Sequence, residues 1–327
     1  LYVKRIFIME ATEKLMPQYL RFVKGVIDSS DLPLNVSREI LQDSKAVESI
    51  RAGTVKKILS SLENMTKKSP DDYEKFWNEF GRVLKEGPAE DFVNKEKIAG
   101  LLRFSSTHDD SDKQSTSFDS YIGRMKPEQE SIYYITADSF MAAKNSPHLE
   151  IFKKKGIEVL LLGDRVDEWL ISNLTDFNGK KFQSIAKGDL DLGKLENESE
   201  KGKKKKIEEK AKTLIEKIKT SLGDKVKDVK VTHRLTDSPA CLVVGENDIS
   251  GNLERILKAA GQNTPDNKPI LEINPGHKLI EKLETFEGTD DFDEYTSVIF
   301  DQAMLSEGAQ LDDPVNFVKK INRFLVK

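Results

Sequence analysis

The sequence is short of the residues that do most enzyme chemistry. Its 327 residues include one cysteine, Cys241, so no internal disulfide can form, which fits a reducing compartment. Cys241 sits in an apolar strand pattern and reads as a buried, inert thiol. The four histidines, His108, His148, His233 and His277, stand far apart with no metal-ligand spacing. No apolar run approaches the ~20 residues of a membrane-spanning helix. There is no Walker-type glycine loop, no G-x-G-x-x-G, no G-x-S-x-G and no H-E-x-x-H. Acidic pairs such as Asp109-Asp110, Asp290-Asp291 and Asp312-Asp313 fall in loops or helix starts, which accounts for them without catalysis. The chain opens Leu1-Tyr2-Val3-Lys4-Arg5, with no initiator Met and no signal-peptide layout, so a fragment of a longer protein is expected.

What is present is charge. Residues Asp, Glu, Lys and Arg make up 33% of the chain, with 52 basic against 56 acidic, a net charge of -4. That describes a polar-surfaced globular protein of two or three domains, with no global attraction to nucleic acid or anionic membrane. The run Lys203 to Lys206 has no interleaved aromatics and reads as a solvated helix start.

Periodicity supplies the elements. Tyr2 to Met9 reads as a buried strand and Met16 to Val26 as a helix. Helices follow over the stretch carrying Ile50 to Leu62, over Asp71 to Leu84 (stopped by Gly87-Pro88), and over Asp91 to Phe104. Ser105 to Ser120 is a polar loop. Ile132 to Ile135 and Ile157 to Leu162 are strands separated by helix, which implies a parallel crossover in a small α/β layer. Arg165 to Asn173 is a helix, and Phe182 to Ala186 a possible edge strand. Ile207, Ala211, Leu214, Ile215, Ile218 and Leu222 make a helical stripe closed by Gly223. Val226 to Leu235 and Ala240 to Gly245 read as neighbouring strands, followed by a helix over Ile249 to Ala260 and a strand at Ile270 to Ile273. Asn274-Pro275 and Asp313-Pro314 look like helix starts, and Phe292 to Leu305 is a long helix apolar on more than one side. The fold class is α/β (α+β): layered α/β/α segments joined by helices, then a mixed α/β domain ending in a helical pair. Expected domains are 1-105, 106-193 and 194-327.

Three places have the residue types of a function. In Leu32 to Gln42, Ser37 is a good N-cap, and Arg38 would then stand in a first turn that is already partly positive. Gln42, four residues on, shares its face. An anion clamp and a surface Arg paired with a local acid both fit. In the helix Ile249 to Ala260, the residues Ile249, Leu253, Ile256 and Leu257 form a stripe that is either core or a face for a partner chain. The two terminal helices carry Tyr295, Val298, Ile299, Phe317, Ile321, Phe324 and Leu325. Consecutive helices with broad apolar faces often pack against a second copy in a two-fold four-helix arrangement.

The strings Tyr19 through Ser29, Asp31 through Gln42, Leu84-Lys85-Glu86-Gly87, Ile132 through Thr136, Lys155 through Leu160 and Ser221 through Pro239 are long and ordered. On them the chain resembles the ninety-kilodalton heat-shock chaperone family, in its bacterial type, over its whole length. The resemblance implies the later middle domain and the C-terminal dimerisation domain of a chaperone that closes as a dimeric clamp on ATP. The nucleotide-binding domain would lie before Leu1, so this segment by itself is expected to be no enzyme and to hold no cofactor, while the full-length protein is an ATPase using ATP and Mg. Arg38 matches the family's middle-domain arginine, which reaches the γ-phosphate, and Gln42 its companion. The arginine would neutralise charge developing in phosphoryl transfer. Trp169, with Glu168, matches the client-binding tryptophan, and Ile249, Leu253, Ile256 and Leu257 the amphipathic client helix. That helix is Met-rich in bacterial members and branched-aliphatic here, which keeps the face but lowers its adaptability. The end Phe324-Leu325-Val326-Lys327 lacks the acidic peptide of eukaryotic cytosolic members, which favours a bacterial or organellar one.

The resemblance therefore implies a cytoplasmic stress-response chaperone segment that binds unfolded client polypeptides and forms a homodimer through its C-terminal helices. A seventy-kilodalton heat-shock chaperone of the DnaK type is an implied partner, and nucleic acid and membrane are not. Two alternatives come from other classes: a phosphate-handling α/β enzyme using Arg38, and a purely structural dimerisation module. The absence of a nucleophile, base or metal constellation weighs against the first.

Overall fold

A computed structural model describes residues 1–8, 15–30, 45–190, 192, 195, 198–265 and 267–326 (backbone alone at 198–201 and 203–205). Two compact units emerge. One comprises residues 1–104, 114–120 and 166–179, the other 105–113, 121–165 and 180–327.

The first unit opens with β1 (Tyr2–Val3), β2 (Ile6–Phe7) and β3 (Asp28–Ser29), in the order β2-β1-β3. The single strand expected over Tyr2 to Met9 is instead a hairpin. Lys4 and Arg5 take φ of 50° and 68°, the left-handed pair that a tight hairpin turn demands. The helix expected from Met16 shrinks to one turn, Gln18–Leu20. Tertiary contacts anchor that turn: the Tyr19 N–H donates to Glu90 Oε2 (3.1 Å) and its hydroxyl to Asp91 Oδ2 (2.8 Å).

Helices α1 (Lys45–Lys68), α2 (Pro70–Leu84), α3 (Gly87–Glu90) and α4 (Lys95–Leu101) follow. Helix α2 buries Tyr73, Trp77, Gly81 and Leu84, one face at helical spacing. Gly81 is needed there: a Cβ would stand 2.7 Å from the Trp77 ring. Helix α2 ends at Leu84, ahead of Gly87-Pro88 as expected, and that pair then opens the separate α3, because proline in a first turn gives up an N–H that has no partner there anyway.

The chain continues through β4 (Ser105–Ser106), α5 (Phe118–Arg124), β5 (Ser131–Thr136), α6 (Phe140–Lys144), α7 (Glu150–Lys155) and β6 (Leu160–Leu162). Helix α8 (Arg165–Asn173) and β7 (Asp176–Phe177) return to the first unit, and β8 (Lys180–Ser184) lies in the second. Strand β5 pairs in parallel with β6 and with β8, and β4 is antiparallel to β6. This is the expected parallel crossover. Tyr133, Ile135, Phe152, Val159 and Leu161 form its core.

The remainder of the second unit is α9 (Glu198–Leu222), β9 (Asp228–Val231), β10 (Ala240–Val243), α10 (Gly251–Ala259), β11 (Ile270–Ile273), α11 (Lys278–Thr285), α12 (Asp291–Ser306) and α13 (Pro314–Leu325). Strands β9 and β10 are not partners. Strand β11 inserts between them, parallel to β9 and antiparallel to β10. The connection after β9 makes no tight turn to β10; it is held by Glu150, far back in the sequence, with Thr236, Asp237 and Ser238 N–H all donating to Oε2. Asn274-Pro275 also differs from expectation. It closes a turn, with Gly276 N–H on Asn274 Oδ1 (3.2 Å), and His277 caps α11 by accepting from Leu279 N–H (3.1 Å). Leu214, Ile218, Leu222, Leu271, Ile273, Ile280, Leu283 and Ile299 anchor one core beneath α12. Full burial of such side chains contributes about 1.5–3 kcal/mol apiece.

Candidate functional site

Arg38 and Gln42 lie outside the described residues, so the Arg loop rests on sequence alone. The other expected positions fall on four helices, α8, α10, α12 and α13, with Ile249 just ahead of α10.

In the first unit, α8 is fastened from below. Lys85 Nζ lies 2.8 Å from Asp167 Oδ1, and both side chains are 1% exposed. The Phe104 ring centroid is 4.8 Å from the same ammonium. Breaking such a buried pair costs about 3–5 kcal/mol, because the remaining charge is left without compensation. Glu168 is buried, and Leu170 fully so. Trp169, between them, is 61% exposed. An indole that large is usually covered, and here the fastening turns it outward. Of the two expected client residues on α8, then, Trp169 is presented and Glu168 is enclosed.

Helix α10 starts later than the pattern suggested. Ser250 Oγ accepts Leu253 N–H at 2.9 Å, so Ile249 precedes the cap. Ile249, Leu253, Ile256 and Leu257 are all half-buried, and none is among the side chains gathered in the described cores. They are neither a closed core stripe nor a fully open face.

The terminal helices divide their apolar residues. Tyr295, Val298, Ile299 and Phe324 are buried in the chain's own core, with Phe317 and Ile321 half-buried against it. Phe286, Tyr295 and Phe324 form an aromatic cluster with centroids 4.9–6.0 Å apart. Arg323 clamps α13 onto α12 through Glu294 (2.5 Å) and Asp291 (2.8 Å). Leu325, the seventh expected interface residue, is exposed, and so are Val315 and Val318. These three recur at i, i+3 and i+10, one outer stripe on α13. Sequence spacing marks α13 as apolar all along one side but does not say which half of that side the chain itself covers.

The second unit also holds a cleft of about 410 Å³ between α9 and β9. Its charges are paired internally: Lys230 with Asp189 (2.9 Å), His233 with Glu208 (2.7 Å) and Arg234 with Glu272 (2.8 Å). Cys241 is fully buried, and burial pushes its thiol well above the usual value, so thiolate chemistry is suppressed. Among the described residues no group of three or more His, Cys, Asp or Glu is arranged to hold a metal ion. Among them also, no helix is long and apolar enough to cross a membrane.

The described residues thus offer an exposed tryptophan on a fastened helix, a half-buried amphipathic helix and an outer apolar stripe. Comparison with known proteins shows the family. The sequence matches the family described as Hsp90 protein over residues 1–327. It is 61% identical to the Chaperone protein HtpG of Dechloromonas aromatica over 326 residues, covering 100% of this chain and 51% of that protein. The corresponding protein of Aromatoleum aromaticum is 62% identical over 330 residues, again 100% and 51%. That of Nitrosococcus oceani is 58% identical over 326 residues, with the same coverage. The chain belongs to the Hsp90 family and is of its bacterial HtpG type. It spans about half the length of these relatives.

Proposed function

We propose that this chain is the client-binding and dimerising part of an ATP-dependent chaperone of the cytoplasm, with roles spread over the segments 1-105, 106-193 and 194-327. The single observation behind the reading is Trp169, 61% exposed on a helix whose adjoining residues are buried. Aromatic anchors of this kind dominate polypeptide recognition, and a fold that invests a buried ion pair beneath one is keeping it available. The outer stripe Val315, Val318 and Leu325 supports a homodimer through the C-terminal helices. In the full-length protein, Arg38 and Gln42 act on the γ-phosphate of Mg-bound ATP held by a domain before Leu1, and a DnaK-type chaperone hands over clients.

The test is Trp169→Ala, with binding of a permanently unfolded protein such as reduced carboxymethylated α-lactalbumin followed by fluorescence anisotropy. Loss of an anchor worth about 1–2 kcal/mol weakens binding roughly ten-fold. Thermal melting stays within a degree or two, because the side chain is not core. Unchanged affinity would remove Trp169 from the client surface.

A further inference from the structure

Helix α10 is seated by its polar flank. Its one buried side chain is Asn252, while Leu253, Ile256 and Leu257 are half-buried. Asn252, Arg255 and Ile256 stand three and four residues apart, so they share the seated flank. Among the described residues no other element packs extensively along α10. Arg255 attaches it to the body of the unit: its Nη2 and Nε lie 3.1 and 3.2 Å from Asp138 Oδ2.

Asp138 is held on a stiff turn between β5 and α6. Ala137 N–H donates to Leu162 O (3.0 Å) on one side, and Ser139 caps α6 on the other. Gly163 crosses so close that a Cβ on it would meet Phe140 N at 2.7 Å. The end of α12 closes over the pair. Gly308 has φ of 75°, and a Cβ there would stand 3.5 Å from Asp138 Oδ2 and 3.6 Å from Arg255 Nη2. Three segments far apart in sequence thus converge on one ion pair, and among the described residues α10 contributes no side chain to the hydrophobic cores.

We infer that Asp138 and Arg255 form a latch that seats α10 with its apolar face half covered, and that opening the pair releases that face. The consequence for client binding rests on the proposed function of α10, while the latch itself does not. The partners are 29% and 50% exposed. A pair so hydrated contributes at most about 1 kcal/mol, equivalent to about five-fold in population. That weakness suits a helix which must open, and salt screens it further. A helix competent to bind only when released gains affinity by the same factor when the latch is removed.

The test is hydrogen–deuterium exchange across residues 251–259 in the whole chain, for wild type, Asp138→Asn, Arg255→Gln and the charge swap Asp138→Arg with Arg255→Asp. The single variants should exchange about three- to five-fold faster in α10, with β9 and β11 unchanged. The swap should return toward wild type, and 1 M NaCl should accelerate the wild type but not Arg255→Gln. Unchanged exchange in the single variants, or a swap as fast as they are, overturns the latch. Anisotropy with reduced carboxymethylated α-lactalbumin runs alongside, and up to five-fold tighter binding is expected for the single variants. Faster exchange with unaltered binding keeps the latch and removes α10 from the client surface.

Discussion

Glu150 shows how much one side chain organises. Oε2 accepts the backbone N–H groups of Thr236, Asp237 and Ser238, and Oε1 the Ser238 hydroxyl. Burial alone would raise its carboxyl, but these donors outweigh burial and hold it below the usual carboxylate range. A group whose folded pKa is depressed stabilises fully above its unfolded value of about 4.3, and that contribution is lost as pH falls through the folded value. Glu150→Gln should therefore lower stability by about 1–3 kcal/mol at pH 7. Urea midpoints of variant and wild type should converge as pH drops toward 3. A gap of constant size across that range would show that charge at this position is immaterial.

Helices are where exposure and chemistry part company with pattern. Helix α13 has apolar residues along a broad side, and the inner half, Phe317, Ile321 and Phe324, goes to the chain's own core. Arg323 fixes that choice by pinning the helix to the acidic first turn of α12. The outer half is left exposed and is the surface we propose for a second copy. Val318→Glu with Leu325→Glu should convert a dimer into a monomer at tens of micromolar, read by light scattering after gel filtration, with helix content by circular dichroism retained. A monomeric wild type under the same conditions would withdraw the stripe as an interface. Trp169 and the α10 latch belong to this scale too: in each, a buried or paired polar group decides what an apolar residue meets.

At the scale of the whole molecule, the proposed role of Arg38 is tested in the full-length protein. Arg38→Ala in that protein should lower ATP hydrolysis by about 10³-fold if the arginine acts as a phosphoryl-transfer finger. Dimer mass and melting temperature should stay near wild type. A collapse in melting temperature would instead make Arg38 structural.

Sequence by itself determined the family, the α/β class, and most of the helices and strands of the second unit. Long ordered strings identify a family, and apolar spacing identifies amphipathic elements whose burial stabilises them. It also marked Asp313-Pro314 as the start of the last helix, where Asp313 accepts Asn316 N–H at 2.9 Å. Tertiary structure decided what spacing does not encode. It set β11 between β9 and β10, and it held the loop after β9 on an acceptor at Glu150, 86 residues before Thr236. The turn at Tyr19 is anchored to acceptors on Glu90 and Asp91, far along the chain, and Trp169 is exposed beside a buried Glu168 on a helix fastened through Lys85. The left-handed Lys4-Arg5 turn and the His277 cap are local geometry that spacing does not report. Periodicity reports which residues prefer to be buried, whereas the partner that buries them, or the ion pair that holds them out, comes from elsewhere in the chain.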